Sequence, residues 1–126
     1  MSSHGHFHWN ELLTADVERA KRFYQDTIGW TYESMPMEDG ATYWVAKVGD
    51  EPVGGIFPTN RPPYQGVPES WMPYLAVDDV DARVGKAVAT GATLMRPIFD
   101  VPGVGRIAIL IEPGGAGVGW ITPAPQ

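Results

Sequence analysis

Apolar and polar residues along the chain change period several times, and each change marks an element. Residues 6–13 form an aromatic and branched run of strand length. Directly afterwards Asp16 can cap a helix whose apolar residues, Val17, Ala20, Phe23, Tyr24 and Ile28, recur at the spacing of one buried face. Gly29 supplies a left-handed helix end. From Trp30 the pattern becomes strand-like at 30–35, 42–48 and 53–57, broken by Glu38-Asp39-Gly40 and Gly49-Asp50.

Residues 58–70 carry Pro58, Pro62, Pro63 and Pro68, a density that neither a helix nor a central strand tolerates, so this stretch reads as a linker. The plan then repeats. Residues 71–77 form a strand, and Asp78 or Asp79 caps a helix with Val80, Val84, Ala87 and Val88 on one face and Gly91 at its end. Strands at 93–97, 105–111 and 117–122 complete the second half, with turns at Pro102-Gly103 and Pro113-Gly114-Gly115. Asp16 superposes on Asp79 at an offset of 63 residues, which places Glu11 on Tyr74. The predicted fold is α+β: two strand-helix-strand-strand-strand modules, about 6–57 and 71–123, within a single domain.

Composition narrows the function. With 9 Lys+Arg against 15 Asp+Glu the formal charge is −6, and no basic run is present. That balance disfavours nucleic acid and anionic membrane surfaces, both of which draw on clustered cations. The absence of cysteine excludes disulfides, a thiolate nucleophile and Cys-ligated metal sites. No secretory pattern and no membrane-length apolar run are visible, so a cytoplasmic protein is expected. The glycine runs Gly54-Gly55 and Gly114 to Gly117 lead into strands, whereas a phosphate loop needs a following helix. His4, His6 and His8 alternate along the N-terminal segment without a carboxylate opposite them and are read as polar tail residues.

Several segments together resemble the vicinal oxygen chelate superfamily, the group of glyoxalase I, bleomycin-resistance proteins and extradiol dioxygenases. They are Asn10-Glu-Leu-Leu-Thr-Ala-Asp-Val-Glu-Arg-Ala-Lys-Arg-Phe-Tyr24, Ile28-Gly-Trp30, Val53-Gly-Gly-Ile-Phe57, Tyr74-Leu-Ala-Val-Asp-Asp-Val80 and Gly105-Arg-Ile-Ala-Ile-Leu-Ile-Glu-Pro-Gly-Gly-Ala116. The resemblance implies that the modules pair into a cupped, mixed eight-strand sheet. It also implies four metal-ligand slots, on the first and last strand of each module. In this chain they fall on Trp9, Gly55, Met72 and Gly119, none of which is a plausible ligand for a hard or borderline cation. Neither a metal nor another cofactor is therefore expected.

What remains is a pocket. Strand alternation places Trp9 and Glu11 on the face of the first slot, with Met72, Tyr74 and Ala76 on the matching face of the second module. In 105–111 the isoleucines are expected beneath a helix, which turns Arg106 and Ala108 toward the cup. Trp9, Met72, Tyr74, Ala76, Arg106, Ala108, Gly55 and Gly119 are thus the candidate ligand-binding residues for a small apolar or aromatic molecule. Glu11 is either the ion-pair partner of Arg106 or a general base. Tyr43 and Trp44 alternate, and the pattern does not choose which faces inward. The expected function is small-molecule binding or a metal-independent lyase or isomerase reaction, in a homodimer that covers exposed strand edges. The alternatives are a metal-dependent glyoxalase-like lyase or dioxygenase with unusual ligands, and a scaffold whose cup is closed.

Overall fold

The structure is a computed structural model and describes residues 3–125. In chain order the elements are β1 (Phe7–Thr14), α1 (Val17–Ile28), β2 (Thr31–Pro36), β3 (Thr42–Val48), β4 (Glu51–Pro58), β5 (Ser70–Ala76), α2 (Val80–Ala89), β6 (Thr93–Leu94), β7 (Phe99–Val101), β8 (Gly105–Ile111) and β9 (Gly117–Pro123). The described residues divide into two compact units, residues 9–72 and residues 3–8 with 73–125. The Pro-rich stretch 58–70 falls within the first.

In the 9–72 unit the strands run in the order β2-β3-β4-β1, antiparallel except for the parallel β4/β1 pair. Helix α1 begins where Asp16 accepts a hydrogen bond from the Arg19 amide at 3.1 Å. It ends at Gly29, whose φ of 80° lets its amide turn back to the carbonyls of Tyr24 and Gln25. One face of the helix packs on the sheet. Leu12, Ala20 and Ile56 are buried there, with Val17, Tyr24, Tyr32 and Trp44 around them. The Lys21 ammonium lies 3.3 Å from the centre of the Trp44 ring, which fixes Trp44 on this side.

The Pro-rich segment is tied down at both ends. Near its start, Arg61 pairs with Asp39 in the turn between β2 and β3, and its guanidinium stacks on the rings of Phe57 and Tyr64 at 4.9 and 4.8 Å. At its far end Glu69 accepts from the Thr14 hydroxyl at 2.6 Å, the Ala15 amide at 2.7 Å and Arg19 at 2.9 Å. These donors, the Thr14 hydroxyl foremost, hold the Glu69 carboxyl below its usual 4.5. A lowered folded-state value means that the stabilisation is fully present above that pH and lost as pH falls through the folded value. Glu69→Gln is therefore expected to lower stability at neutral pH by no more than about 1 kcal/mol, because solvent screens the pair. The difference from wild type in urea unfolding should vanish in acid.

In the other unit β5, β9, β8 and β6 are neighbours in that order and β7 adds to β8. Asp79, not Asp78, caps α2, accepting from the Ala82 amide at 3.1 Å. Asp78 instead holds Arg83 through two bonds of 2.9 Å and donates its amide to His4 Nδ1 at 3.0 Å. The predicted strand at 93–97 is confined to Thr93–Leu94, and Phe99–Val101 supplies a further strand. Val80 and Val84 of α2 are buried against Val77, Ala108 and Leu110, with Val118 and Trp120 packed against them.

This core corrects the expectation for β8. Ala108 and Leu110 lie under the helix, so Ile107, Ile109 and Ile111 occupy the opposite face. Arg106 shares the helix side, where it meets Asp81 of α2 at 2.7 Å and Asp100 of β7 at 3.0 Å. A strand covered by a helix accepts small and branched residues on that side, and a guanidinium at its end can reach back to the helix. Among the described residues no helix is long and apolar enough to cross a membrane.

Candidate functional site

The parallel register of β1 and β4 sets Glu11 opposite Gly55, and the antiparallel register of β3 and β4 sets Val45 opposite the same glycine. Tyr43, two residues before Val45, therefore shares the face of Glu11, away from α1. That settles the choice between Tyr43 and Trp44. With no side chain at Gly55, the Tyr43 phenol lies across the β4 backbone, and a Cβ at that position would overlap the ring and its hydroxyl.

The Trp9 indole donates to the Tyr43 hydroxyl at 2.8 Å, and that hydroxyl in turn is hydrogen-bonded to Glu11. Glu11 is buried, about 9% exposed. Burial and then the negative charge of Glu11 push the Tyr43 phenol well above its usual 10. Tyr43 accordingly keeps its proton at neutral pH and serves as the donor to the carboxylate. The result is a directed chain, indole to phenol to carboxylate, on one face of the sheet.

Trp71 lies on the α1 side of β5, where its indole donates to Tyr24 at 3.1 Å, so the neighbouring Met72 points the other way. In the second unit the Tyr74 ring lies over Gly119, its register partner, and a Cβ there would strike the ring. Ala76 is buried two residues along the same face. Of the predicted site residues, the ligand-binding Trp9 and Gly55 and the catalytic candidate Glu11 come together in the first unit, and Tyr74, Ala76 and Gly119 share one face in the second. Arg106 and Ala108 do not belong to that face. The guanidinium of Arg106 is engaged by Asp81 and Asp100, and Glu11 is hydrogen-bonded to Tyr43 within its own unit.

Tyr43 was missed as a site residue. The signal that finds it is a glycine opposite a buried carboxylate, since an open position on a central strand is filled by a long side chain from the neighbouring strand.

The four slots that the resemblance implies for a divalent cation do not fit one. The Trp9 nitrogen is a donor already directed at Tyr43, the thioether of Met72 suits soft metals only, and phenol rings fill the space over Gly55 and Gly119. Among the described residues no group of three or more His, Asp or Glu is placed to hold a metal.

The fold is that of the vicinal oxygen chelate proteins. A solved methylmalonyl-CoA epimerase from Mycobacterium tuberculosis superposes with a TM-score of 0.67 over 99% of this chain and 93% of its own, at 18% identity. Residues 6–42 match the family model described as bleomycin resistance protein-like N-terminal. CFP32 of Mycobacterium tuberculosis (strain CDC 1551 / Oshkosh), a protein provisionally named a glyoxylase, is 45% identical over 118 residues, 94% of this chain and 44% of the relative. The anthracycline biosynthesis protein DnrV of Streptomyces peucetius is 31% identical over 119 residues, 86% of this chain and 43% of the relative. The chain thus spans a little under half the length of these curated relatives. It has the vicinal oxygen chelate fold and is similar in sequence to glyoxalase-like proteins.

Proposed function

We propose that this glyoxalase-like chain binds a small apolar or aromatic molecule without a metal, using the hydrogen-bonded chain Trp9, Tyr43 and Glu11 as its polar anchor. The observation that carries this reading is the buried Glu11 carboxylate beside a neutral phenol and the Trp9 indole on one sheet face. A carboxylate confined to one direction, on a face rich in aromatic surface, suits a ligand that brings a hydrogen-bond donor or an acidic C–H.

For a reaction, Glu11 is the group that would take the proton. The substrate proton passes to the carboxylate, Tyr43 keeps its own proton and steadies the carboxylate through its hydrogen bond, and return of the proton to another carbon or loss of a leaving group completes an isomerisation or elimination. Trp9 supplies the apolar wall and, through Tyr43, the alignment. The metal-dependent alternative has little support, since the ligand slots carry indole, thioether and two glycines.

A thermal-shift screen of neutral and aromatic metabolites, run on wild type, Trp9→Ala and Glu11→Gln, tests the proposal. A ligand present at a hundred times its Kd should stabilise wild type by about 2.7 kcal/mol, read as a clear rise in Tm. Trp9→Ala should lose most of that rise. If turnover is found, Glu11→Gln should abolish it while ligand binding persists. Hits that stabilise wild type and Trp9→Ala equally would place the ligand elsewhere.

A further inference from the structure

We infer that the Pro-rich segment 58–70 forms one wall of the Glu11 face, that Arg61 is the residue positioning it, and that this wall selects a ligand carrying an aromatic ring. The inference rests on the binding role proposed for that face. Within the 9–72 unit Ile56 packs under α1, so Phe57 turns the other way, onto the face of Gly55 and Tyr43. Its register partner on β1 is Leu13, two residues beyond Glu11. Two successive turns then fold the segment back. The Tyr64 amide donates to the Arg61 carbonyl at 2.8 Å, and the Val67 amide donates to the Tyr64 carbonyl at 3.1 Å. The Tyr64 ring meets Phe57 edge-on at 4.9 Å, and both residues are half-buried.

Arg61 determines where these two rings stand. Its guanidinium packs against both, its Nε donates to the Pro58 carbonyl at 3.1 Å, and its terminal nitrogens reach Asp39 and, at 3.7 Å, the Met37 sulfur. Met37 and Asp39 belong to the turn between β2 and β3, closed where the Met37 amide donates to the Ala41 carbonyl at 2.8 Å. Tyr43 follows two residues later, so one side chain ties the aromatic wall to the hairpin that carries the phenol. A planar cation with several donors can make all of these contacts together, and an ammonium cannot. Phe57 lies two residues along β4 from Gly55, about 6.6 Å at the rise of a strand. A carboxylate at one end and edge-on rings at that distance suit an aryl group whose hydrogen-bond donor sits two or three bonds from the ring.

Titration calorimetry with 2-phenylethylamine and 2-phenylethanol, well below the melting temperature of every variant, tests this, with n-butylamine as a donor that has no ring. The aryl probes should bind wild type, and n-butylamine should bind about tenfold more weakly or worse. Tyr64→Ala should remove that advantage and leave n-butylamine unaffected. Arg61→Met and Asp39→Asn, which delete neither ring, should each weaken the aryl probes several-fold, with Arg61→Lys between wild type and Arg61→Met. A graded loss among folded proteins marks positioning, since a change in stability alone does not alter affinity there. Should Arg61→Met not fold, Asp39→Asn and Tyr64→Ala decide the outcome. Aryl binding that depends on Trp9 and Glu11 but tolerates Tyr64→Ala and Asp39→Asn overturns the inference and leaves the proposed function standing. Failure of both aryl probes to bind wild type also overturns it, and the proposed function falls with it only if the wider metabolite screen is silent too.

Discussion

Leu110→Ala is expected to cost about 2–5 kcal/mol of unfolding free energy, and Ile109→Ala distinctly less. Leu110 is 1% exposed and packs against Val80 and Val84 of α2, so truncation leaves a void with no route for collapse other than movement of the helix. Ile109 sits opposite Gly119 on the other face of the same strand and is only partly buried. Urea unfolding of the two variants compares them directly, with the midpoint read at an unchanged slope. A larger loss for Ile109→Ala would mean that the isoleucine face, not the leucine face, carries the helix.

That comparison bears on what the amino-acid pattern could reveal. The order of elements was legible because helices announce themselves through caps and a 3.6-residue period, and Asp16, Gly29 and Asp79 all occupy their predicted roles. The faces of β8 were not. From Ile107 to Ile111 every residue is apolar, so alternation carries no contrast, and the polar Arg106 misleads because its long side chain turns back to Asp81 on α2. Tyr43 was hidden for a different reason. Counted outward from the Gly49-Asp50 turn, Val48 pairs with Glu51 and Lys47 with Pro52, but a bulge between Ala46 and Lys47 shifts the pairing by one. An unbroken count would set Trp44 opposite Gly55, whereas the bulge brings Val45 there and moves Tyr43 onto the face of Glu11. One inserted residue thus decides which aromatic side chain joins the site, and local composition does not fix where that residue goes.

Gly55→Ala should cost about 1–3 kcal/mol in wild type and almost nothing in a Tyr43→Ala background. A methyl group at position 55 claims the volume that the Tyr43 phenol now occupies, so the ring must leave the β4 backbone and take its hydroxyl away from Trp9 and Glu11. Displacement takes the Tyr43 hydroxyl from the half-buried indole N–H of Trp9, which adds to the steric cost. With the ring already removed, the atoms that the methyl group would strike first are gone, and alanine is if anything better than glycine within a strand. The double-mutant cycle therefore isolates the packing of Tyr43 over Gly55 from the general effect of changing a strand glycine. Ligand binding follows the same logic: Gly55→Ala should weaken any ligand that depends on Glu11, and Tyr43→Phe should weaken it too without the steric term. Equal costs for Gly55→Ala in the two backgrounds would show that the phenol does not fill the glycine's place, and the alignment of Glu11 through Tyr43 would have to be abandoned.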